Sequence, residues 1–384
     1  EGYRNFTKKN KRAKPLLESW SGLTDNSVKM KRAYEWLQEN ILNIEYDGDE
    51  DTDYKYNNTL DDMLKRKYGS SIDINYAYLF FLKEFGVSAH MVYTHDREEK
   101  HFFPSVKNPR QFDRSFVVTP KGAREYYYYS PAAPGLPYRE IPWYYQGAVA
   151  FMIDEARYNF SNVPIQPHQG NRFRRFLWLK MDEDFQLTGK MLEQFEGQYG
   201  YRERLQLDDK SENELEEYFT EIFKEQFPTG EIDSVELGKL DEFEEKLSLK
   251  CQVNLEADAQ EIGSKLLIKP VEMMSLLNNP FVDEARSNDI VFDHAGEEIE
   301  SVTLDLPQGW VVDALPETQA IVNRVGTYNL LFQSLNNGTR ISIQRSFKLK
   351  HPWLTSAAYA QVQKLFNARQ TQEDLTVILK PAAE

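Results

Sequence analysis

The sequence predicts an α+β protein in which helices and strands mix in the first part and strands dominate the second. Residues 71 to 82 form a helix that is apolar on nearly all sides, which is typical of a buried helix. Strand-like segments follow it up to Ile153. Beyond residue 165, after a stretch rich in Pro and Gly, long strands recur at short spacing with few helices. We therefore expect one domain at 1–165 and a β-rich region at 166–384, which could divide into 166–270 and 271–384.

The composition indicates an ordinary globular protein and excludes several classes of function. Hydrophobic residues make up 41% of the 384 residues and charged residues 28%. The net charge of -15 argues against a protein that binds the phosphates of nucleic acids. No stretch reaches the roughly 18 apolar residues of a membrane-spanning helix. Cys251 is the only cysteine, so we expect no intrachain disulfide, and its place in an apolar strand predicts an unreactive thiol.

The first part can be divided into elements by its local patterns. The first 20 residues are polar and basic and are interpreted as a connector. Apolar residues at helical spacing then predict a helix from Asn26 to about Asn43. Thr59 begins a capping-box pattern for a short helix before Gly69. After the central helix, strands are predicted at 89–94, 114–119, 125–130 and 148–153.

Two segments of the first part suggest metal sites, but each favours a simpler interpretation. The acidic residues of 47–53 lack the glycine and the final glutamate that a calcium-binding loop needs, so we expect a solvated loop. His95 and His101 lack a third ligand nearby, and both are expected to be exposed to solvent. The sequence thus offers no metal or cofactor site.

The second part contains clear strand patterns and two amphipathic helices. The helices are predicted at 212–227 and 356–369, and Asn336-Asn337-Gly338 predicts a hairpin turn. The predicted strands are 173–181, 187–195, 199–207, 247–255, 265–270, 298–306, 328–335, 340–349 and 375–379.

The order of these motifs resembles that of the transglutaminase-like, papain-related superfamily. Tyr68-Gly69-Ser70-Ser71-Ile72-Asp73 is similar to the Gly-Asp-Cys-Lys-Asp signature at the start of the nucleophile helix, and residues 33 to 41 resemble the helix before it. Asn279-Pro280-Phe281 and Leu306-Pro307-Gln308-Gly309-Trp310 resemble the C-terminal half of large bacterial envelope proteins. The resemblance implies a transglutaminase-like core followed by a β-sandwich-type region. It also implies an N-terminal β-domain that is absent from this chain, which starts at Glu1.

The resemblance also implies that the catalytic triad is degenerate. The family's cysteine falls on Ser71, its histidine on Arg114 and its aspartate on Ser130. A serine hydroxyl needs an adjacent base to act as a nucleophile, and arginine cannot accept a proton in a protein. Apart from catalysis, Ser71 could cap the helix, and Arg114 could pair with Asp113 or Glu125.

Two functions remain open after this comparison. The leading hypothesis, which follows from the resemblance, is a non-catalytic binding or scaffolding module of the bacterial envelope, located in the periplasm or elsewhere in the cell envelope. Its former cleft would take a peptide, protein or glycan through Ser71, Arg114, Tyr127, Tyr129 and Trp143. The alternative is an amide hydrolase or acyltransferase that uses Ser71 as its nucleophile or needs the missing upstream domain. A general base next to Ser71 would distinguish the two.

Overall fold

In a computed structural model, the chain forms two compact units, Glu1–Ile165 and Gln166–Glu384. The structure describes residues 2–46, 52–122, 125–154, 157–207, 210–269, 273–274, 279–370 and 375–382, so most of the predicted acidic loop at 47–53 lies outside the described residues. Helices and strands occur in both units. The α+β class predicted from the sequence is therefore confirmed.

The first unit consists of several helices around one buried helix, which lies against a sheet. Its described helices are α1 (Gly2–Thr7), α2 (Lys14–Trp20), α3 (Asn26–Asn40), α4 (Leu60–Arg66) and α5 (Ser71–Glu84). Its described strands are β1 (Leu42–Asn43), β2 (Tyr68–Gly69), β3 (His90–Thr94), β4 (Arg114–Pro120), β5 (Tyr126–Tyr129), β6 (Val149–Asp154) and β7 (Arg157–Asn162). Strands β3 to β7 form one sheet in the order β5-β4-β3-β6-β7.

Helix α5 supplies much of the core of this unit. Ile74, Tyr78 and Phe81 are at most 1% exposed, as the apolar pattern predicts for a helix enclosed on all sides. The expected connector is not a linker, because Phe6 of α1 and Trp20 of α2 are buried in the same core. Apolar side chains of these short helices thus cover one side of α5.

The second unit is dominated by strands. Its described helices are α6 (Gln198–Leu207), α7 (Glu212–Gln226) and α8 (Tyr359–Gln370). Its described strands are β8 (Arg172–Met181), β9 (Gln186–Glu196), β10 (Glu231–Gly238), β11 (Leu247–Glu256), β12 (Ala259–Ile262), β13 (Lys265–Ile268), β14 (Ile290–Val291), β15 (Gly296–Asp305), β16 (Trp310–Ala314), β17 (Gln319–Val322), β18 (Gly326–Leu335), β19 (Arg340–Leu349), β20 (Trp353–Leu354) and β21 (Val377–Pro381).

Two sheets of the second unit share a hydrophobic core. The larger has the order β10-β11-β9-β8-β15-β19-β18-β17, and the smaller has the order β12-β13-β21-β16. Leu177 and Ile343 of the larger sheet belong to the same buried cluster as Leu266 and Leu379 of the smaller one. The hairpin predicted at Asn336-Asn337-Gly338 joins β18 to β19, and both asparagines have positive φ there.

One predicted strand is wrong, because residues 199–207 form helix α6. Tyr199, Tyr201, Leu205 and Leu207 alternate with polar residues, which suggested a period of two. In the structure the inward side includes Arg204, whose guanidinium donates to backbone oxygens of Lys239, Leu240, Glu242 and Glu245. A buried arginine bound to carbonyl groups hides the helical period of the apolar residues.

Candidate functional site

The first turn of α5 is held by a capping box that does not include Ser71. Ser70 is the N-cap: its hydroxyl accepts from the Asp73 amide at 3.4 Å, and the Asp73 carboxylate accepts from the Ser70 amide at 3.3 Å. The cap role expected for Ser71 is therefore wrong by one residue. Ser71 is instead the first helical residue, 7% exposed, where the backbone N–H has no partner within the helix.

A short bridge brings a carboxylate to Ser71. Strands β1 and β2 pair in parallel, and the Ile44 amide extends the pairing by donating to the Gly69 oxygen at 3.1 Å. The chain then turns so that Glu45 faces the start of α5. The Ser71 hydroxyl donates to Glu45 Oε2 at 2.7 Å, and the Ser71 amide donates to Glu45 Oε1 at 3.2 Å. One carboxylate thus accepts both donors of Ser71.

Asn43 completes the surroundings of the serine. Its Nδ2 donates to Ser71 Oγ at 3.0 Å and to the Ala132 oxygen at 2.6 Å. Its Oδ1 accepts from the Glu45 amide at 3.1 Å, which fixes the turn. Ser71 Oγ therefore both donates and accepts a hydrogen bond within the protein. The sequence did not indicate Asn43 or Glu45, since a two-residue parallel bridge has no periodic pattern.

Arg114 lies at the start of β4 among carboxylates. Its Nη2 is 3.1 Å from Glu99 Oε2 and its Nη1 is 3.9 Å from Asp113 Oδ2, while its side chain is 26% exposed. Burial by itself would lower the pKa of Arg114, but Tyr145 and the surrounding carboxylates outweigh burial and raise the pKa. The expected pairing with Asp113 is present, and the stronger contact, with Glu99, was not expected. Arg114 is thus a permanent cation held by two acids.

The strand β4 presents a different side chain to α5. Asn75 of α5 donates to both the backbone oxygen and the hydroxyl of Ser115, at 2.8 and 3.2 Å. Because side chains alternate along a strand, Arg114 lies on the opposite face from Ser115. The position that the resemblance gives to the histidine is therefore on the other face of β4 from the contact with Asn75, although Glu45 is among the carboxylates that raise the pKa of Arg114.

Ser130, the third position of the expected triad, lies in the interior just after β5. It is 2% exposed, and its hydroxyl has no hydrogen-bond partner among the described residues. Its backbone oxygen accepts from the Tyr34 hydroxyl at 3.3 Å. The hydroxyl therefore orients no other group in the described part of the chain, which is the task of an aspartate in a triad.

The aromatic residues expected to line a groove are mostly enclosed by protein. Tyr129 is 0% exposed, and its hydroxyl lies 3.2 Å from Thr119 Oγ1. Trp143 is 8% exposed, and its indole N–H donates to Glu98 at 2.9 Å. Tyr127 is half-buried, with the Arg139 guanidinium 4.2 Å from its ring centre. Of the three, the structure leaves only Tyr127 accessible to a ligand to any extent.

Comparison with known proteins supports the fold and leaves the activity open. Residues 264–379 match the model of DUF3858, a domain family of unknown function with a solved structure. The chain is similar in fold to a crystal structure described as a "putative protease" from Parabacteroides distasonis, with a TM-score of 0.53 and 10% sequence identity. That similarity covers 99% of this chain and 56% of the other protein. No curated protein has significant sequence similarity to the chain.

The first unit also contains an apolar pocket of about 520 Å³. Gln111 shapes its wall, since its side chain donates to the Val106 oxygen at 2.7 Å and accepts from the Phe103 amide at 2.9 Å. Lys107 is the one charged residue among the described residues that line the pocket. The aromatic lining consists of Tyr93, Phe102, Phe112, Phe151 and Phe160.

His95 is buried close to this pocket, so the expectation that it is exposed is wrong. It is 4% exposed, its ring centre lies 6.1 Å from that of Phe102, and both ring nitrogens lack partners among the described residues. Burial lowers the pKa of His95, an effect that Asp113 and Asp96 oppose. His101, in contrast, is exposed as expected. Because its pKa is lowered from 6.5, the imidazole of His95 is neutral at pH 7.

Proposed function

We propose that the first unit is a non-catalytic, transglutaminase-like binding module of the bacterial cell envelope, in which Glu45 closes the former nucleophile position. The observation that carries the proposal is the double contact of one carboxylate with Ser71, at 2.7 Å to the hydroxyl and 3.2 Å to the amide. A location in the periplasm or elsewhere in the cell envelope is part of the proposal.

The geometry disfavours acyl transfer for three physical reasons. A carboxylate is a weak base for an un-ionised hydroxyl. The Ser71 amide points at Glu45, where it cannot stabilise the oxyanion of a tetrahedral intermediate. Arg114 carries a guanidinium where the family has its imidazole, and a guanidinium cannot relay a proton. The nucleophile, its base and its oxyanion donor are thus all compromised.

In this proposal the ligand binds in the apolar pocket of about 520 Å³ rather than beside Ser71. The Ser71 hydroxyl and amide are occupied by Glu45, and the charge of Arg114 is already balanced by Glu99 and Asp113. The pocket offers apolar area in the volume range of small-ligand sites, with Lys107 as a cation at its lining. Its occupant is a peptide that inserts an apolar C-terminal side chain and turns its carboxylate toward Lys107.

Two measurements test the two halves of this proposal. The purified chain should not hydrolyse or transamidate glutamine-containing peptides faster than Ser71→Ala, and a fluorophosphonate should not label Ser71. Short fluorescent peptides that end in phenylalanine should bind, and Phe160→Ala and Lys107→Met should weaken them, whereas Lys121→Met should not. Turnover that disappears in Ser71→Ala would disprove the first half. Equal binding to wild type and both pocket variants would disprove the second.

A serine amide hydrolase is the second candidate, and one distance favours it. Ser71 Oγ lies 2.7 Å from Glu45 Oε2, which is within reach for a proton transfer. Glu45 is exposed, so a substrate could reach this pair. If this candidate is correct, Glu45→Gln removes the activity as completely as Ser71→Ala does, because the amide cannot take the proton.

A further inference from the structure

The second unit contains a pocket of about 440 Å³ that the proposed function does not use. It lies between helices α6 and α7 and the end of the core face of the large sheet. Its lining combines rings with charged groups, and the ones that matter here are Arg175, Glu193, Tyr199, Arg202, Glu203 and Tyr218. A concave site with converging polar groups is a common form of ligand-binding site.

The floor of the pocket is the end of a buried row of charges. Glu193, Arg175, Glu300 and Arg345 stand directly opposite one another on β9, β8, β15 and β19, and each is at most 6% exposed. Arg175 donates to Glu193 at 2.6 Å and to Glu300 at 3.0 Å, and Arg345 donates to Glu300. Two cations and two anions make the row neutral, so it leaves no charge for a ligand.

The other charges of the pocket are also paired, with one exception. Arg202 Nη1 lies 3.0 Å from Asp293 Oδ2. Glu298 Oε2 lies 2.9 Å from Arg369 Nη2. Glu203 accepts a long hydrogen bond of 3.4 Å from the Tyr218 hydroxyl. No Lys, Arg or His of the described residues lies within ion-pair distance of its carboxylate. Glu203 is thus the acid of the pocket that lacks a cation.

The ionisation of Glu203 reflects this lack of a partner. Burial, and after it the nearby Glu193, raises the pKa of Glu203 to about 7, while Arg202 and the hydrogen bond from Tyr218 act in the opposite direction. The other titratable and charged groups that line the pocket are Tyr199 and Arg202 on α6, Tyr218 on α7, and Arg175, Glu193 and Glu298 on the sheet. Burial raises the pKa values of both tyrosines, so they remain neutral near pH 7.

The rings beside Glu203 suit a cation with an apolar stem. Lys210 already places its ammonium 5.4 Å from the Tyr218 ring centre, which indicates that a cation is stable over this ring. We propose that the pocket binds a primary ammonium group on a slender apolar stem, with the ammonium on the Glu203 carboxylate and the stem along Tyr199 and Tyr218. A free alkylamine and a lysine side chain share this chemistry. The site lies in the other unit and is independent of the proposed function.

Calorimetric titration of the full chain with pentylamine and with Nα-acetyl-lysine methylamide tests the proposal. Since the carboxyl must be ionised to bind, the affinity for at least one probe should rise about tenfold or more between pH 5.5 and 8.5. Glu203→Gln should abolish binding, and Glu217→Gln, an exposed acid on α7, should not. Acetylation of the lysine amine should also abolish it.

The outcomes separate the two sources of the ammonium and can overturn the proposal. Binding of pentylamine alone assigns the site to a small amine, and binding of the lysine derivative alone assigns it to a protein side chain. No binding of either probe at pH 8.5 overturns the proposal, as does an affinity that does not change with pH. The pH dependence is measured on the wild type, so it decides the question even if Glu203→Gln folds poorly.

Discussion

At the start of α5, the Glu45 carboxylate accepts two hydrogen bonds from Ser71. One comes from the hydroxyl, at 2.7 Å between Oγ and Oε2, and the other from the backbone amide, at 3.2 Å between N and Oε1. The first N–H groups of a helix attract negative charge. A nucleophile at this position would draw on the same N–H groups to stabilise its own negative charge, whereas here the chain supplies the anion from Glu45. Glu45 therefore stabilises the helix at a place where a nucleophile would have to remain available.

Replacing the serine by cysteine tests this interpretation. In Ser71→Cys the thiolate would form next to the Glu45 carboxylate, so like-charge repulsion should raise the thiol pKa above the ordinary value of about 8.5. We expect Ser71→Cys to react with iodoacetamide at pH 7.5 more slowly than a free cysteine. In Ser71→Cys/Glu45→Gln the repulsion is absent, and the rate should rise severalfold.

A matched control shows whether the change is specific to Glu45. Glu39→Gln removes an exposed acid from the neighbouring helix α3 and should leave the rate of Ser71→Cys unchanged. Rapid alkylation of the single variant Ser71→Cys, or its acylation by an amide substrate, would show that the site still activates a nucleophile. Either result would favour the hydrolase over the binding module.

Cys251, the one cysteine of the native sequence, should be unreactive in the folded protein. Cys251 is 4% exposed on β11, and burial raises its pKa to about 12. Because the thiolate is the reactive form, Ellman's reagent should not label the native chain at pH 8. Labelling should become complete in denaturant, and its rate under native conditions should follow the rate of unfolding. Immediate labelling of the native chain would contradict the buried position.

Stability should fall in acid because of His294. This imidazole is 7% exposed, and its ring centre lies 4.3 Å from that of Tyr199. Burial, and after it the charge of Arg202, lowers its pKa from 6.5 to about 4. As the pH falls below 6.5 the unfolded state takes up this proton first, so unfolding becomes more favourable until about pH 4. The shift corresponds to a loss of up to about 3 kcal/mol.

Two variants separate the contribution of His294 to the pH dependence of stability from the contributions of the other titratable groups. His294→Gln should lose less free energy of unfolding than the wild type between pH 7 and pH 4.5, as measured by urea denaturation. His351→Gln, which replaces an exposed imidazole, should behave like the wild type. If His294→Gln and the wild type have parallel pH profiles, the imidazole is protonated in the folded state.

Local patterns in the sequence predicted the elements that depend on local interactions. Helix α5 and the β18–β19 hairpin are set by an apolar run with a cap and by a turn with asparagines in the left-handed region. Helix α6 was misread because its inward side contains Arg204. The Ser71–Glu45 contact depends on a bridge between residues 26 positions apart, and no local pattern records such a pairing.

The sequence did not predict the buried row of charges for a related reason. Its arginines and glutamates occupy strand positions that point into the core, where a sequence reading expects apolar side chains. Arginine and glutamate are mostly exposed in proteins, so the residue types alone do not mark these four positions as buried. Only the register of four strands, two of them distant in the chain, shows that the charges lie side by side.

Removing one member of this row should cost far more stability than removing an exposed ion pair. Arg175→Met leaves Glu193 buried without its cation, while Glu300 keeps Arg345. Breaking a buried pair from one side typically costs about 3–5 kcal/mol, so urea denaturation should show a large loss for this variant. Arg340→Met breaks a cross-strand pair with Asp305 at the exposed end of β19, and it should change the free energy of unfolding little.

The double variant Arg175→Met/Glu193→Gln distinguishes the charge from the packing. If the loss comes from the uncompensated Glu193 carboxylate, replacing that carboxylate by a neutral amide should recover a substantial part of the stability. If the loss comes from the shape of the arginine side chain, the double variant should be as unstable as Arg175→Met alone. Recovery in the double variant, together with a small effect of Arg340→Met, would establish that the neutrality of the row is what the fold requires.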